Sequence, residues 1–241
     1  MANLLVEIGN TALKAAWCEN LTLGKTYRYQ GEDTVKFILS IISREKPEYM
    51  AVASVRTLSA EEQGSLQAAC THLLLLDSEH SQLLAKYNLP DYITYDRAAA
   101  AVAVRGMFAG KNCTVFDFGT TLSVDVIDSS GAYVGGNVSL GCRTRFKALN
   151  RYSRSLPLVN TPEEVPSLGK SAQQAIEAGV ISGIKFEIEG YAARYPGNVI
   201  VFTGGDANYF AKQMKIPIFV VCNLVLIGLA YIVNDYAEQS N

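Results

Sequence analysis

Two short stretches of this chain set a carboxylate two residues before a glycine and a threonine close behind it: Glu7-Ile8-Gly9-Asn10-Thr11 and Asp117-Phe118-Gly119-Thr120-Thr121. Each follows an apolar run, Leu4–Ile8 or Cys113–Phe118, and each leads into another, Ala12–Trp17 or Leu122–Ile127. The chemistry this spacing suits is phosphate binding. A glycine at a strand-to-strand turn has no Cβ, so the backbone can approach a phosphate closely. Turn N–H groups and the threonine hydroxyl can donate to phosphate oxygens, and the carboxylate can hold a cation or its water shell beside them. A third turn, Thr203-Gly204-Gly205-Asp206, lies between the apolar run Asn198–Phe202 and a helical stretch, Ala207–Met214. A glycine pair there lets a flat nucleoside ring pack on backbone. Each turn taken singly is also compatible with an ordinary hairpin or tight turn. The matched pair of acid–glycine–threonine turns is what points to a clamp on a nucleotide's phosphates.

Such turns need elements to hold them. After Gly9 the pattern reads as a meander, with a third strand over Leu21–Tyr29. A helix follows from Asp33 to Arg44, where Val35, Ile38, Leu39 and Ile42 make one apolar face. Met50–Ser54 reads as a strand and Ser59–Cys70 as a helix capped by Ser59 with Glu62 three residues on. Leu73–Leu76 is a further strand, and an Ala-rich helix covers Arg97–Phe108. The same opening recurs about 110 residues later, which predicts a fold-scale duplication. The expected architecture is α/β, with two similar halves over residues 1–110 and 111–241, each a meander followed by alternating helices and strands.

Composition narrows the class. The chain has 241 residues, of which 49% are hydrophobic and 18% charged, an ordinary globular balance. A net charge of -2 supplies no basic field, so no nucleic-acid partner is expected. The first ten residues lack the basic start of a secretory leader and already carry Glu7. Ile216–Val233 is interrupted by Pro217, Asn223 and Gly228 and reads as a buried strand and helix, not a membrane span. The five scattered cysteines predict reduced core thiols in a cytoplasmic protein. His72 and His80 have no third ligand nearby in sequence and no expected metal role.

The ordered set of motifs resembles the phosphate-1, phosphate-2 and adenosine motifs of the acetate/sugar-kinase, Hsp70 and actin superfamily. In detail it resembles the type III pantothenate kinases, which implies two similar ribonuclease-H-like (actin-like ATPase) halves, each a mixed five-stranded sheet flanked by helices. Glu7-Ile8-Gly9-Asn10-Thr11 with Lys14 is similar to the D-x-G-N-T-x-x-K opening of that family, and Asp96-Arg97-Ala98 to its G-x-D-R-A element. Asp117 to Thr120 matches its second phosphate motif. Gly135-Gly136 through Gly141 to Ala148-Leu149, Gly169-Lys170 through Gly179, Gly183 and Glu189-Gly190, and Thr203-Gly204-Gly205 follow in the family's order. The resemblance implies ATP-dependent phosphorylation of the primary hydroxyl of pantothenate, with Mg²⁺, a monovalent cation (K⁺ or NH₄⁺) and a homodimer. It implies Asp96 as the base that takes the hydroxyl proton and Arg97 as partner of the substrate carboxylate. ATP falls to Glu7, Gly9, Asn10, Thr11, Lys14, Gly119, Thr120, Thr121, Gly204 and Gly205, the acceptor pocket to Tyr87, Thr94, Tyr95 and Arg97. The monovalent cation falls to Asp117 and Mg²⁺, through water, to Glu7.

The chain departs from the family pattern at four places. Glu7 stands for Asp, Thr94 for Gly, Leu140 for Pro and Ala172 for the Thr of G-K-x-T. The longer Glu7 side chain bears on an ion that tolerates little distortion. Thr94 raises the expectation of a different backbone path into the Asp-Arg element. These changes keep two other functions open: a kinase of a sugar or another hydroxy acid, and a feebly active relative with a regulatory role.

Overall fold

Val6 is fully buried between two strands, and the chain builds its first sheet outward from there. The computed structural model describes residues 2–42, 45–77, 79–80 and 82–240. In chain order the first elements are β1 (Asn3–Ile8), β2 (Leu13–Glu19), β3 (Thr22–Tyr29), α1 (Thr34–Ile41), β4 (Tyr49–Ser54), α2 (Ala60–Ala69), β5 (His72–Leu76), α3 (Gln82–Ala85) and α4 (Tyr95–Met107). The expected end of the first helix at Arg44 lies outside the described residues. There follow β6 (Cys113–Phe118), β7 (Thr121–Ile127), β8 (Tyr133–Leu140), α5 (Cys142–Tyr152), α6 (Ala172–Arg194), β9 (Val199–Gly204), α7 (Ala207–Ala211), β10 (Phe219–Val220) and α8 (Leu224–Ser240).

The two sheets have one topology. The first runs β3-β2-β1-β4-β5, and the second, read from β8, runs β8-β7-β6-β9-β10. In each, the first three strands form an antiparallel meander and the last two join the first in parallel. The halves are therefore alike, as the repeated motif predicts, and each carries a mixed five-stranded sheet with helices.

The chain divides into two compact units, residues 1–109 with 223–241, and residues 110–222. The second boundary differs from the expected 111–241, because α8 packs in the first unit. The reason is local fit. α4 carries Ala98 to Ala101 and Ala103, all buried, and the small side chains admit α8 to backbone contact. A Cβ at Gly228 of α8 would collide with the carbonyl of Ala99, and one at Gly106 of α4 with the ring of Tyr231. In the second unit Phe116, Phe118, Phe202 and Phe210 pack against the Ile181, Ile184 and Ile188 face of α6.

The start of α2 behaves as its sequence predicts. Ser59 accepts from the Glu62 backbone N–H, and the Glu62 carboxylate accepts from the Ser59 N–H, a complete capping box. Arg56 adds two bonds to the same carboxylate, at 2.7 and 3.0 Å, and these are the main cause that lowers the Glu62 pKa to about 2. A depressed carboxylate stabilises the fold above its unfolded pKa near 4.5 and loses that contribution as pH falls through about 2. The site is solvent-facing, so the contribution is about 1 kcal/mol. Urea unfolding of Glu62→Gln against the parent is expected to show a deficit of that size at pH 7 that shrinks between pH 4.5 and pH 2.

No helix among the described residues is long and apolar enough to cross a membrane.

Candidate active site

The first glycine turn is closed by its own backbone. Gly9 N–H donates to the Ala12 carbonyl at 3.1 Å. In the second turn Gly119 N–H donates to the Thr121 carbonyl at 2.9 Å. An ideal Cβ at Gly9 would sit 4.0 Å from Glu7 Oε1, and one at Gly119 would sit 4.0 Å from Asp117 Oδ1. The carboxylates stand alike beside the two glycines, but the second turn is one residue tighter: Ile8 pairs with Leu13, and Phe118 with Leu122. One expectation changes: the N–H groups of the glycines themselves are spent closing the turns. Phosphate donors would have to come from the exposed residues that follow, Asn10 and Thr11 in one turn, Thr120 and Thr121 in the other.

In the first unit, β1 and β2 place Glu7 opposite Lys14. The Lys14 ammonium lies 3.3 Å from Glu7 Oε2, so the lysine pairs with the carboxylate expected beside it. Burial raises the Glu7 pKa, Lys14 pulls it back down, and the negative charge of Asp96 adds to the rise. Glu7 and Asp96 therefore belong to one electrostatic neighbourhood. Asp96 stands inside the first turn of α4, not ahead of the helix, and its Oδ1 accepts from the Arg97 N–H at 2.9 Å. A carboxylate there is favoured by the helix N-terminus. Thr94 is the N-cap, at φ -71 and ψ 156. Any residue adopts that extended conformation, so threonine in place of glycine introduces no strain. Tyr95 opens the helix, and its phenol pKa is raised by burial and by Asp77 and Asp91. Tyr87 is half-buried and its hydroxyl donates to Asp235 on α8 at 2.6 Å.

In the second unit, parallel pairing of β6 and β9 sets Asp117 opposite Thr203 and Phe118 opposite Gly204. The glycine pair therefore lies beside the second glycine turn. Gly204 has φ +89, and a Cβ there would meet Asp117 Oδ1 and lie 2.6 Å from the Phe118 carbonyl. Asp206 N–H reaches that same carbonyl at 3.4 Å. Gly205 is exposed beside it.

Sequence reasoning missed three features of these motifs. Thr144 Oγ1 and the Gly141 N–H both donate to the Thr120 carbonyl, at 2.6 and 3.0 Å, so the start of α5 fixes the back of the second turn. Asp206 is half-buried at the entry to α7, its pKa raised by burial and drawn down by Arg143. At the start of α6, the Ser171 hydroxyl accepts from the Gln174 N–H, so the nearest hydroxyl to Ala172 is occupied as a cap.

Mixed sheets of this order, with glycine turns after β1 and β6 and a glycine pair after β9, define the actin-like ATPase fold. Solved structures agree. A Campylobacter jejuni protein described as a proposed Baf-family transcriptional activator matches with TM-score 0.67 at 20% identity, over 98% of this chain and 99% of its own. The activator of 2-hydroxyisocaproyl-CoA dehydratase from Clostridium difficile, solved with bound ADPNP, matches with TM-score 0.61 at 14% identity, over 100% and 97%. Sequence comparison is more specific. The profile of the type III pantothenate kinase family matches residues 3–194. Type III pantothenate kinases of Bacteroides fragilis and Phocaeicola vulgatus are 36% and 37% identical, covering 96% and 94% of this chain and 97% and 96% of their own lengths. The chain belongs to the type III pantothenate kinase family.

Proposed function

We propose that this protein phosphorylates pantothenate at its primary hydroxyl with ATP, giving 4'-phosphopantothenate, the first step toward coenzyme A. The observation that carries the reading is the family match over residues 3–194 in a chain that keeps Asp96 and Arg97 at the start of one helix, in the neighbourhood of Glu7. Phosphoryl transfer asks for positioning, charge neutralisation and a proton acceptor. Asp96 takes the proton of the attacking hydroxyl, and Arg97 pairs with the pantothenate carboxylate. Thr94, Tyr95 and Tyr87 line the acceptor pocket. In the first unit Gly9 leaves room for a phosphate and Asn10 and Thr11 donate to it; in the second, Gly119 leaves the room and Thr120 and Thr121 donate. Gly204 and Gly205 support the adenosine.

The donor set suits hard cations. Among the described residues no group of three or more His, Cys, Asp or Glu could hold a metal by itself. Mg²⁺ keeps several waters and binds through phosphates and one or two carboxylates. Glu7 would hold it through water, and Asp117 would hold the monovalent cation, K⁺ or NH₄⁺. Bound Mg²⁺ supplies charge neutralisation on the transferring phosphate. A homodimer agrees with exposed apolar side chains in the second unit, Val134 and Val138 on β8 and Phe186 on α6, each more than half exposed. A cytoplasmic site of action agrees with cysteines that are all free.

The Glu7–Lys14 pair favours one second reading, a feebly active relative, because it spends a cation expected on the phosphates. One assay separates the readings. ADP release, followed by enzyme coupling, is expected to require pantothenate and Mg²⁺ and to rise with K⁺ or NH₄⁺. Turnover on a sugar but not on pantothenate contradicts the proposal, and nucleotide binding without turnover on any acceptor supports the feeble relative.

A further inference from the structure

The segment that leads to Asp96 is tied to the far end of the chain. Tyr87 donates its hydroxyl to Asp235 Oδ2 at 2.6 Å across 148 positions of sequence. From α4, Arg105 donates through Nη1 to the Tyr87 carbonyl at 2.6 Å. Lys86 places its ammonium 3.7 Å from the same Asp235 carboxylate. Burial, and then the bond to Asp235, raise the phenol pKa, so the hydroxyl remains a donor. Asp235 sits on a rigid mount, since Gly228 of α8 meets the backbone of Ala99 on α4 and the Tyr231 ring of α8 packs on Gly106. α4 is also the helix that opens on Asp96 and Arg97. One helix pair therefore fixes both ends of the segment from Tyr87 to Arg97.

A carboxylate serving only to dock α8 would need no more than the lysine. A short bond to a half-buried phenol does something else: it sets the plane and position of the ring. We propose that Asp235 is a positioning residue for the acceptor, acting through Tyr87 on acceptor affinity and not on phosphoryl transfer. The inference rests on the reading that Tyr87 lines the pantothenate pocket.

Steady-state kinetics test it. Asp235→Ala is expected to raise KM for pantothenate about tenfold, the scale of one charge-assisted hydrogen bond, with kcat and KM for ATP within about twofold. Asp235→Asn, whose amide oxygen still accepts from the phenol, is expected to recover most of the loss. In a Tyr87→Phe background, Asp235→Ala is expected to add nothing, because the two act through one bond. Thermal unfolding of each variant separates lost affinity from lost fold. An unchanged KM in a folded Asp235→Ala enzyme, equal changes in kcat and both KM values, or the same increase in both backgrounds overturns the inference alone. A wild-type enzyme that phosphorylates no pantothenate overturns the functional reading, and this inference with it.

Discussion

Asp96→Asn is expected to lower kcat for pantothenate phosphorylation by about 10²- to 10⁴-fold while leaving the protein folded and nucleotide binding intact. The size follows from the role. A positioned general base contributes about that factor, and an amide cannot take the hydroxyl proton. The specificity of the loss follows from the structure. Asp96 Oδ1 accepts from the Arg97 N–H in the first turn of α4, and an asparagine oxygen can accept the same bond. The helix start is therefore preserved, and only the favourable charge at the helix N-terminus is lost, about 0.3–1 kcal/mol. Removing that charge also relieves Glu7, whose pKa Asp96 helps to raise. Single-turnover kinetics with saturating ATP and pantothenate, beside a thermal melt, check both halves of this expectation. A variant that keeps more than about a tenth of the parent rate is not missing its base.

Gly204→Ala is expected to have the largest effect on stability, about 2–4 kcal/mol, and to weaken nucleotide binding along with it. Two costs combine. The residue has φ +89, where an L side chain is strained by about 1–2 kcal/mol. The added methyl would also enter the space of Asp117 Oδ1 and of the Phe118 carbonyl, and the carbonyl, being backbone, cannot turn aside. Relief requires β9 to shift against β6, where Phe116, Phe118 and Phe202 pack in the buried aromatic core. Overpacking at such a place costs about 1–3 kcal/mol. The displaced groups belong to the carboxylate and turn assigned to the cation and phosphates, so stability and binding fall together. Denaturant unfolding with and without ATP analogue measures both. Gly205→Ala, at an exposed position whose Cβ would meet only the Phe118 carbonyl at 3.9 Å, is the matched control for stability and is expected to cost little there.

Much of the fold was legible because its determinants are local. The capping box at Ser59 and Glu62 is a four-residue pattern, and it formed as written. The duplication was legible because acid, glycine and threonine keep their spacing in both copies, although the turns close differently, Gly9 on Ala12 and Gly119 on Thr121. What was hidden depends on distant partners. No local pattern shows that α8 belongs with the first unit. That is decided by whether Gly228 can reach Ala99, a fit between residues more than a hundred positions apart. The Tyr87–Asp235 bond was hidden for the same reason. Lys14 was within reach of a closer reading. Glu7 and Lys14 flank a tight hairpin symmetrically, so they are register partners, and opposite charges there pair before either meets a ligand. α4 starts two residues before the Arg97 that the Ala-rich pattern predicts. Thr94 takes an extended N-cap conformation, and Tyr95 and Asp96 are already helical.

The most direct test follows the phosphorus. Purified protein is given ATP labelled in its γ-phosphate, together with pantothenate, Mg²⁺ and K⁺, and the products are separated. The account predicts that label leaves ATP in step with ADP formation and arrives on the pantothenate hydroxyl as 4'-phosphopantothenate. Label that appears only as inorganic phosphate, or that stays in ATP while the nucleotide is demonstrably bound, contradicts it.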